Sequence, residues 1–305
     1  MGFQSVCPST TEARVTSPQT IMNAAPRIHL EAPVARVTFP SYACVLEQTM
    51  TVEITRRRFA VSAASVLASV AVGGLGKARA QSGAGRDGRL HAKPGTGVTT
   101  SLTSGPLGLE PNGRDGVLQI PSGVSRNTPV PLLIFLHGAT QNGARMLTRI
   151  GPAAEQAGVA VLAPDSRNGT WDAIRGNFGE DIVFLNRALE HVYARLAVDP
   201  ARLAIGGFSD GASYALSLGL ANGDLFPRVV ACSPGFIMQA PAHGRPRFFF
   251  SHGKADQVLP IDQCSRVIVP RLKSMGYDVT FREFEGRHEL PPDIATEAVT
   301  WMSQP

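Results

Sequence analysis

A serine in the sequence GFSDG, Ser209, has one glycine two residues before it and another two residues after it. A serine hydroxyl is a weak nucleophile at neutral pH, and it becomes reactive when a histidine held by a carboxylate takes its proton. Both partners occur downstream, Asp256 in SHGKADQVLP and His288 in EFEGRHELPP. We therefore predict acyl-transfer chemistry in which Ser209 attacks, His288 transfers the proton and Asp256 orients the histidine.

Other serine, acid and histidine candidates fit this chemistry less well. Ser233 also follows an apolar run, but an alanine stands where the first glycine would be, and no helical pattern follows. Asp262 and Asp278 compete with Asp256, although one is expected to start a helix and the other a strand. His252 ends an apolar run just before the predicted acid, and we interpret it as a structural histidine.

The segment FLHGATQNG, residues 135–143, has the glycine content and the position of a loop that stabilises an oxyanion. We predict that the backbone N–H groups of Ala139 and Asp210 are the two donors. Such a donor typically contributes about 3 kcal/mol to transition-state stabilisation. His137 belongs to the same loop and is expected to brace it rather than to transfer protons.

These residues need a scaffold, and the chain supplies alternating apolar runs and helical patterns. The runs VPLLIFLHG, GVAVLAP, ARLAIGG, RVVACSP and RFFFSHG are typical of strands buried on both faces. DVTFREFEG follows them, and GVTTSLTSG and DGVLQIPSG are predicted as two early strands. Helical periodicity fills the gaps, for example at residues 182–196, where the acidic Glu180 and Asp181 stand at the expected helix start. A second helical stretch is predicted at 261–276, where Pro270 should kink or shorten the helix. The pattern predicts an α/β fold with a mostly parallel central sheet of about eight strands, helices on both faces and no large cap domain.

Within this scaffold, Ser209 falls between the strand ARLAIGG and the helix SDGASYALSLGL. A sharp strand-to-helix turn would lift the serine hydroxyl above the edge of the sheet. Gly207 and Gly211 are expected there because a β-carbon at either position would collide with the neighbouring strand or helix. Asp256 and His288 follow later strands, so all three side chains are expected at the carboxyl edge of the sheet.

Six stretches carry a resemblance to a known family: FLHGATQNG, APDSRNGTWD, GEDIVFLNRALEHV, VDPARLAIGGFSDGASYAL, HGKADQVLP and EGRHELPP. The chain resembles serine esterases of the α/β-hydrolase family. It is similar to the small, capless bacterial enzymes grouped with polyhydroxybutyrate-depolymerase-like and feruloyl esterases, and to the phospholipase/carboxylesterase group. The resemblance implies Ser209, Asp256 and His288 as the triad, and Ala139 and Asp210 as the oxyanion donors. Depolymerase-type loops often have a cysteine where this chain has Ala139, which weakens an assignment to polymer degradation.

The expected activity is hydrolysis of carboxylic esters through an acyl-enzyme intermediate. A polyester depolymerase and a feruloyl esterase are alternatives, as are a peptidase, a thioesterase and an acyltransferase, because all use a tetrahedral intermediate. A catalytically silent binding module is a further alternative, although it would not need an intact serine, acid and histidine. Trp171, Phe236, Ile237 and Met238 either line a substrate pocket or pack in the core. The sequence has no zinc-ligand pattern and no phosphate-binding glycine loop, so no metal and no cofactor are expected.

The first eighty residues are predicted to lie outside the catalytic domain. The stretch TRRRFAVSAASVLASVAVGGLGKARAQ has paired arginines, a weakly apolar run and a small-x-small cleavage pattern, and it resembles a twin-arginine export signal. Because Met50 would place the arginines correctly, residues 1–49 are interpreted as an extension of the gene model or as a disordered leader. We expect a signal peptide at 50–80, a flexible lead-in at 81–97 and the catalytic domain at 98–305.

Charge and cysteine content limit the partners. The formal net charge is +5, but residues 1–80 carry eight Lys or Arg and four Glu, which leaves +1 for the remainder. A nearly neutral domain gives no argument for nucleic acid. The expected partners are a small-molecule or polymeric ester and, transiently, the twin-arginine export machinery, with no stable membrane anchor after cleavage and a periplasmic or secreted location. Cys232 and Cys264 are interpreted either as a disulfide or as two buried thiols.

Overall fold

The structure is a computed structural model that describes residues 87–95, 102–124 and 128–304. The predicted leader (1–49) and signal peptide (50–80) lie outside the described residues, together with the two ends of the predicted lead-in. The described residues thus include most of 98–305, predicted as the catalytic domain, and residues 87–95 of the predicted lead-in.

Strands and helices alternate along the described residues. The strands are β1 (Gly105–Pro106), β2 (Gly116–Gln119), β3 (Val130–Leu136), β4 (Ala160–Pro164), β5 (Val198–Phe208), β6 (Arg228–Cys232), β7 (Arg247–Gly253) and β8 (Val279–Phe284). The helices are α1 (Gly143–Gln156), α2 (Asp172–Arg175), α3 (Glu180–Tyr193), α4 (Asp210–Ala221), α5 (Ser265–Ser274) and α6 (Pro292–Ser303).

The strands form one sheet in the order β1-β2-β4-β3-β5-β6-β7-β8. The six strands from β4 onward in this order are parallel, whereas β2 is antiparallel to β4 and β1 is antiparallel to β2. The predicted mostly parallel sheet of about eight strands is confirmed. Only the first strand differs, because the described part of the predicted stretch 97–105 contributes Gly105 alone to β1. Parallel strands bring their carboxyl ends to one edge, where the following loops can build a site.

Helices cover both faces of the sheet and create two hydrophobic cores. Every residue of β3 is buried, and its side chains alternate between the cores. Leu132 and Ile134 pack in the core with α3 and α4, whereas Leu133 and Phe135 pack in the core with α1 and α6. Because successive side chains of a strand point to opposite faces, a strand covered on both sides is apolar throughout. This explains the continuous apolar runs in the sequence.

The helices begin and end for identifiable local reasons. Asn142 caps α1, because its side-chain oxygen accepts a hydrogen bond from the N–H of Arg145 at 2.9 Å. Two acidic residues open α3, as the sequence pattern predicts. Pro270 lies within α5, which begins at Ser265 and is shorter than the helical stretch predicted at 261–276. Within the described ranges, none of the helices combines the length and the apolarity needed to cross a bilayer.

Residues 87–92, which we call the N-terminal strap, contact α3 and the end of α4. Leu90 and Ala92 are buried in the core beside these helices. The side chain of Asn222 accepts from the Leu90 N–H and donates to the carbonyl of Gly88, both at 2.8 Å. A second amide, Asn186 on α3, accepts from the N–H of Ala92 at 3.1 Å. The strap is therefore packed where the polar, glycine-rich composition predicted a flexible lead-in.

The two cysteines of the described domain are both buried. No disulfide joins Cys232 and Cys264, so of the two interpretations the structure agrees with two buried thiols. Burial raises the pKa of the Cys232 thiol to about 12, which keeps it protonated and unreactive at neutral pH.

Candidate active site

Ser209 lies at the turn between β5 and α4, where the chain passes abruptly from strand to helix. Its φ is +58°, in the left-handed region that is strained for a residue with a side chain. A Cβ on Gly207 would lie 2.4 Å from the backbone carbon of Gly211. A Cβ on Gly211 would lie 2.2 Å from the carbonyl oxygen of Leu136. Both glycines are therefore required by close backbone approach, as the sequence predicted.

The structure brings Ser209, His288 and Asp256 together from distant parts of the chain. His288 Nε2 lies 2.9 Å from Ser209 Oγ, and His288 Nδ1 lies 2.7 Å from Asp256 Oδ2. A neutral imidazole with its proton on Nδ1 donates to Asp256 and accepts from the serine hydroxyl. Ser209 is 8% exposed and the His288 side chain 16% exposed, so both remain accessible from the carboxyl edge.

The carboxylate of Asp256 is surrounded by hydrogen-bond donors. Its Oδ1 accepts from the N–H groups of Val258 at 2.9 Å and Leu259 at 2.8 Å, while Oδ2 accepts from His288. Burial raises the pKa of this carboxyl, but the hydrogen bonds from the two histidines His252 and His288 and from Leu259 outweigh burial and hold the pKa below its usual range. Asp256 is therefore ionised at neutral pH, which fixes the proton of His288 on Nδ1.

His252, interpreted from the sequence as structural, is buried at the end of β7 and also contacts Asp256. Its Nε2 lies 2.8 Å from the carbonyl oxygen of Leu259 and 3.2 Å from Asp256 Oδ2, and its Nδ1 lies 2.7 Å from Ser265 Oγ. Because a carbonyl only accepts, Nε2 carries the proton and the Ser265 hydroxyl donates to Nδ1. Nothing in the sequence indicated that two histidines share this carboxylate.

The loop after β3 lies directly beside Ser209, because a Cβ on Gly138 would be 3.2 Å from Ser209 Cβ. Ala139 is the next residue of this loop, and Asp210 is the first residue of α4. Neither N–H group is used in the hydrogen bonds of the described turns and loops. N–H groups in the first turn of a helix lack intrahelical acceptors, and the helix dipole favours negative charge there. The surroundings of Ser209 therefore suit a developing oxyanion.

His137 is completely buried beneath the same loop. Its Nδ1 donates to the carbonyl of Gly138 at 2.7 Å, and its Nε2 accepts from the N–H of Ser166 at 2.9 Å. Burial lowers the pKa of His137, and the nearby Arg114 lowers it further. The ring is thus a neutral brace between two loops.

The other candidates weighed from the sequence do not belong to this hydrogen-bonded arrangement. Ser233 follows β6 and is fully buried, and the next helix is α5. Asp262 pairs with Arg266 at 2.7 Å, and Asp278 pairs with Arg247 at 2.8 Å. The described residues also contain no group of three or more His, Cys, Asp or Glu side chains arranged to hold a metal ion.

Trp171, one of the four residues proposed for a substrate pocket, is completely buried. Its indole N–H donates to the carbonyl of His137 at 2.9 Å, and its ring stacks on Tyr214 with centroids 5.1 Å apart. Of the two alternatives offered by the sequence, the structure contains the packed one: Trp171 lies between His137 and Tyr214 and does not line an open cavity.

The segment 235–238 runs along α4 away from Ser209. Ser213 Oγ accepts from the N–H of Gly235, and one turn further Ser217 Oγ accepts from the N–H of Met238, both at 2.9 Å. Ile237 and Met238 consequently line a cavity of about 560 Å³ beside the ends of α4 and α5. These two residues lie away from the catalytic edge, whereas the half-buried Phe236 stays a predicted pocket residue.

The sheet order and the strand–turn–helix at Ser209 are those of the α/β-hydrolase fold. Comparison with known proteins confirms the resemblance to esterases of that fold. The sequence pattern of the Phospholipase/Carboxylesterase family matches residues 182–303. Feruloyl esterase C of Emericella nidulans is 33% identical over 177 residues, which cover 55% of this chain and 64% of that protein. The chain thus spans less than two thirds of the length of this curated relative.

Solved structures show the same architecture. A truncated carbohydrate esterase from gut microbiota superposes with a TM-score of 0.53 at 18% identity, covering 70% of this chain and 99% of that one. The fluorophosphonate-binding serine hydrolase F of Staphylococcus aureus, solved with substrate bound, superposes with a TM-score of 0.51 at 16% identity, covering 63% and 93%. At these identities the likeness shows the fold alone.

Proposed function

We propose that this protein is a serine esterase that hydrolyses carboxylic esters through an acyl-enzyme intermediate. The observation that carries the proposal is the hydrogen-bonded line from Ser209 through His288 to Asp256, with contacts of 2.9 and 2.7 Å. Similarity to the feruloyl esterases C of Emericella nidulans and Aspergillus terreus supports the same reaction class.

In the acylation half-reaction, Ser209 Oγ bonds to the ester carbonyl carbon while its proton moves to His288 Nε2. The carbonyl oxygen becomes an oxyanion that accepts hydrogen bonds from the N–H groups of Ala139 and Asp210. Asp256 stabilises the imidazolium through Nδ1–H without taking its proton. As the tetrahedral intermediate collapses, the bond to the alcohol oxygen breaks and His288 protonates that oxygen.

In the deacylation half-reaction, water replaces the alcohol. His288 Nε2 takes one proton from the water as its oxygen bonds to the acyl carbon, and a second tetrahedral intermediate forms in the same oxyanion site. Collapse of this intermediate breaks the bond to Ser209 Oγ, which recovers its proton from His288. The carboxylic acid leaves, and the starting enzyme is restored.

Replacing the proposed nucleophile tests this mechanism. Ser209→Ala should lower kcat for p-nitrophenyl acetate by about 10³-fold or more, because removal of a triad nucleophile leaves only binding and oxyanion stabilisation. Ser233→Ala is the matched control, since that serine also follows a central strand but is fully buried, and its activity should stay near wild type. Equal rates for wild type and Ser209→Ala would refute the mechanism.

The names of the curated relatives, which are feruloyl esterases, favour a feruloyl ester as the substrate of this protein. A panel of short- and long-chain p-nitrophenyl esters, methyl ferulate and polyhydroxybutyrate separates the remaining alternatives. A preference for methyl ferulate would indicate a feruloyl esterase with a pocket for an aromatic acyl group. Release of soluble hydroxyacids from the polymer would indicate a polyester depolymerase. The same panel with a thioester and a peptide anilide tests thioesterase and peptidase activity.

Export belongs to the proposal and is supported by the sequence only. The three consecutive arginines Arg56, Arg57 and Arg58 and the small-x-small pattern ending at Ala80 favour a twin-arginine signal that is removed before the enzyme acts outside the cytoplasm. The intact mass of the exported protein tests this, because cleavage predicts an N-terminus at Gln81 and retention predicts Met1 or Met50.

A further inference from the structure

The two proposed oxyanion donors lie on different elements, and a short segment after β4 connects those elements. Thr140, next to Ala139, donates its N–H to the carbonyl of Gly169 at 2.6 Å. The neighbouring Thr170 donates its hydroxyl to Asp210 Oδ2 at 2.5 Å. The dipeptide Gly169–Thr170 thus contacts both elements: its backbone carbonyl binds the oxyanion loop, and its threonine side chain binds the start of α4.

The oxyanion loop needs such support because its backbone is strained. Thr140 has a φ of +60°, which is unfavourable for a residue with a β-branched side chain. Strain of this kind persists only where the surroundings fix the conformation. The hydrogen bond from the Thr140 N–H to Gly169 provides one such constraint, and it acts one residue away from the Ala139 N–H.

The contact with Asp210 is equally constrained. Asp210 and Thr170 are both buried, at 5% and 7% exposure, so neither side chain can readily exchange its partner for water. Burial raises the pKa of the Asp210 carboxyl, while the Thr170 hydroxyl and His288 lower it. Without a donor at Oδ2, this carboxylate would be poorly solvated immediately beside the N–H that faces the reaction.

The connecting segment is itself rigid. Trp171 packs between His137 and Tyr214, with ring centroids 4.9 and 5.1 Å away. Behind it, the Asp172 N–H donates to Asp181 Oδ2 at 2.7 Å and the Asp181 N–H donates to Asp172 Oδ2 at 2.8 Å. A rigid segment that contacts both elements can set the distance between them.

We infer that Thr170 is a positioning residue of the oxyanion site, which holds the Asp210 N–H in register with the Ala139 N–H through the Gly169–Thr170 dipeptide. The inference rests on the proposed esterase function, and Thr170 acts through Asp210 without touching the substrate. Its hydroxyl is therefore expected to matter more in the tetrahedral intermediate than in the bound ester.

A matched pair of variants tests this role. Thr170→Val keeps the shape of the side chain and removes the hydroxyl, whereas Thr170→Ser keeps the hydroxyl and removes a methyl group. With p-nitrophenyl acetate, Thr170→Val should lower kcat by about tenfold, within the loss expected for a misplaced catalytic group, and change KM by less than about twofold. Its affinity for phenylboronic acid, which forms a tetrahedral adduct with the serine, should fall by a similar factor. Thr170→Ser should stay close to wild type in all three values.

Equal losses in the two variants would show that packing matters rather than the hydroxyl, and would overturn the inference. A loss confined to KM, or an unchanged affinity for the boronic acid, would overturn it as well. If Thr170→Val does not fold, Thr170→Ala replaces it, because it also removes the hydroxyl donor to Asp210 and differs from Thr170→Ser only by that hydroxyl. This variant should show the same pattern, a lower kcat at unchanged KM.

A measurement without substrate separates this inference from the proposed function. In Thr170→Val, amide hydrogen exchange at Thr140 should accelerate and the amide resonances of Ala139 and Asp210 should both shift, whereas Thr170→Ser should resemble wild type. If wild type hydrolyses no ester and a fluorophosphonate does not label Ser209, the proposed function fails, and these amide signals still decide whether Thr170 couples the two elements. Unchanged signals in Thr170→Val would overturn the coupling.

Discussion

At the scale of single residues, His137 couples the protonation of the protein to the geometry of the proposed oxyanion loop. Its Nε2 faces two donors, the Ser166 N–H at 2.9 Å and Arg114 Nη2 at 3.3 Å. Protonation of Nε2 would replace an acceptor by a third donor in a fully buried position. The fold therefore requires the neutral ring, which agrees with the lowered pKa of His137.

This requirement predicts a specific dependence of stability on pH. The pKa of His137 is lowered from 6.5 in the folded state, so the unfolded chain takes up this proton first as the pH falls. The stabilisation is complete above pH 6.5 and is lost as the pH decreases toward the folded pKa, by up to about 1.4 kcal/mol per pH unit. Urea unfolding between pH 7.5 and 5.5 measures this effect. The free energy of unfolding should fall more steeply with decreasing pH for wild type than for His137→Gln, because the glutamine offers an acceptor that stays neutral. If the free energy of unfolding depended on pH equally in the two proteins, His137 would not titrate in this range.

At the scale of elements, the turn between β5 and α4 depends on contacts that only glycine permits. Gly207 and Gly211 approach each other and the end of β3 so closely that neither tolerates a Cβ. Ser209, the proposed nucleophile, is therefore held by backbone packing on both sides and not by the hydrogen bonds of its own side chain. The rigidity of the turn is a property of three elements, β3, β5 and α4.

Substitution of one glycine tests this packing. Gly211→Ala would place a methyl group 2.2 Å from the Leu136 carbonyl oxygen and 2.5 Å from that of His137, and should destabilise the protein by more than about 3 kcal/mol. Gly113→Ala is the control, because its Cβ would meet only Glu110 Cβ at an ordinary 3.7 Å. Urea unfolding measures both variants. A small effect of Gly211→Ala would mean that β3 and α4 can separate without cost.

The sequence was informative about these elements wherever burial or backbone geometry leaves a pattern. Strands covered on both faces appear as apolar runs, and the order of Ser209, Asp256 and His288 along the chain already suggested one edge of the sheet. Patterns of burial do not identify the neighbour that a buried side chain contacts. For this reason the sequence left open whether Trp171 lines a pocket or packs in the core, and the hydrogen bond of Thr170 could not be predicted from the sequence.

At the scale of the whole molecule, the N-terminal strap joins α3 and the end of α4, to which it is hydrogen-bonded across 95 and 132 residues of sequence. Arg89 adds a paired contact with both carboxylate oxygens of Asp224 at 2.8 Å, and Leu90 fills the core between α3 and α4. A glycine-rich composition concealed this role, because a single buried leucine does not form a periodic pattern. The strap is thus part of the folded domain.

Truncation of one strap side chain measures its contribution. Leu90→Ala should lower the free energy of unfolding by roughly 2–5 kcal/mol, as expected for a leucine that is 4% exposed. Lys93→Ala, at an exposed position three residues later, should change it by less than about 0.5 kcal/mol. Chemical denaturation of both variants gives the two free energies of unfolding to be compared with that of wild type. Equal stabilities would show that the strap lies on the domain without stabilising it.

The position of β8 has a consequence for the way in which the protein loses activity on warming. Among the residues that the structure describes, β8 is the last strand of the sheet order and has a hydrogen-bonded neighbour, β7, on one side only. His288 follows this edge strand, whereas Ser209 follows β5 in the middle of the sheet. Edge elements open at a lower cost than central ones, so His288, the proposed general base, can detach while Ser209 and most of the sheet remain folded. Heat inactivation is therefore expected at a lower temperature than global unfolding, and to be reversible as long as only the edge has opened.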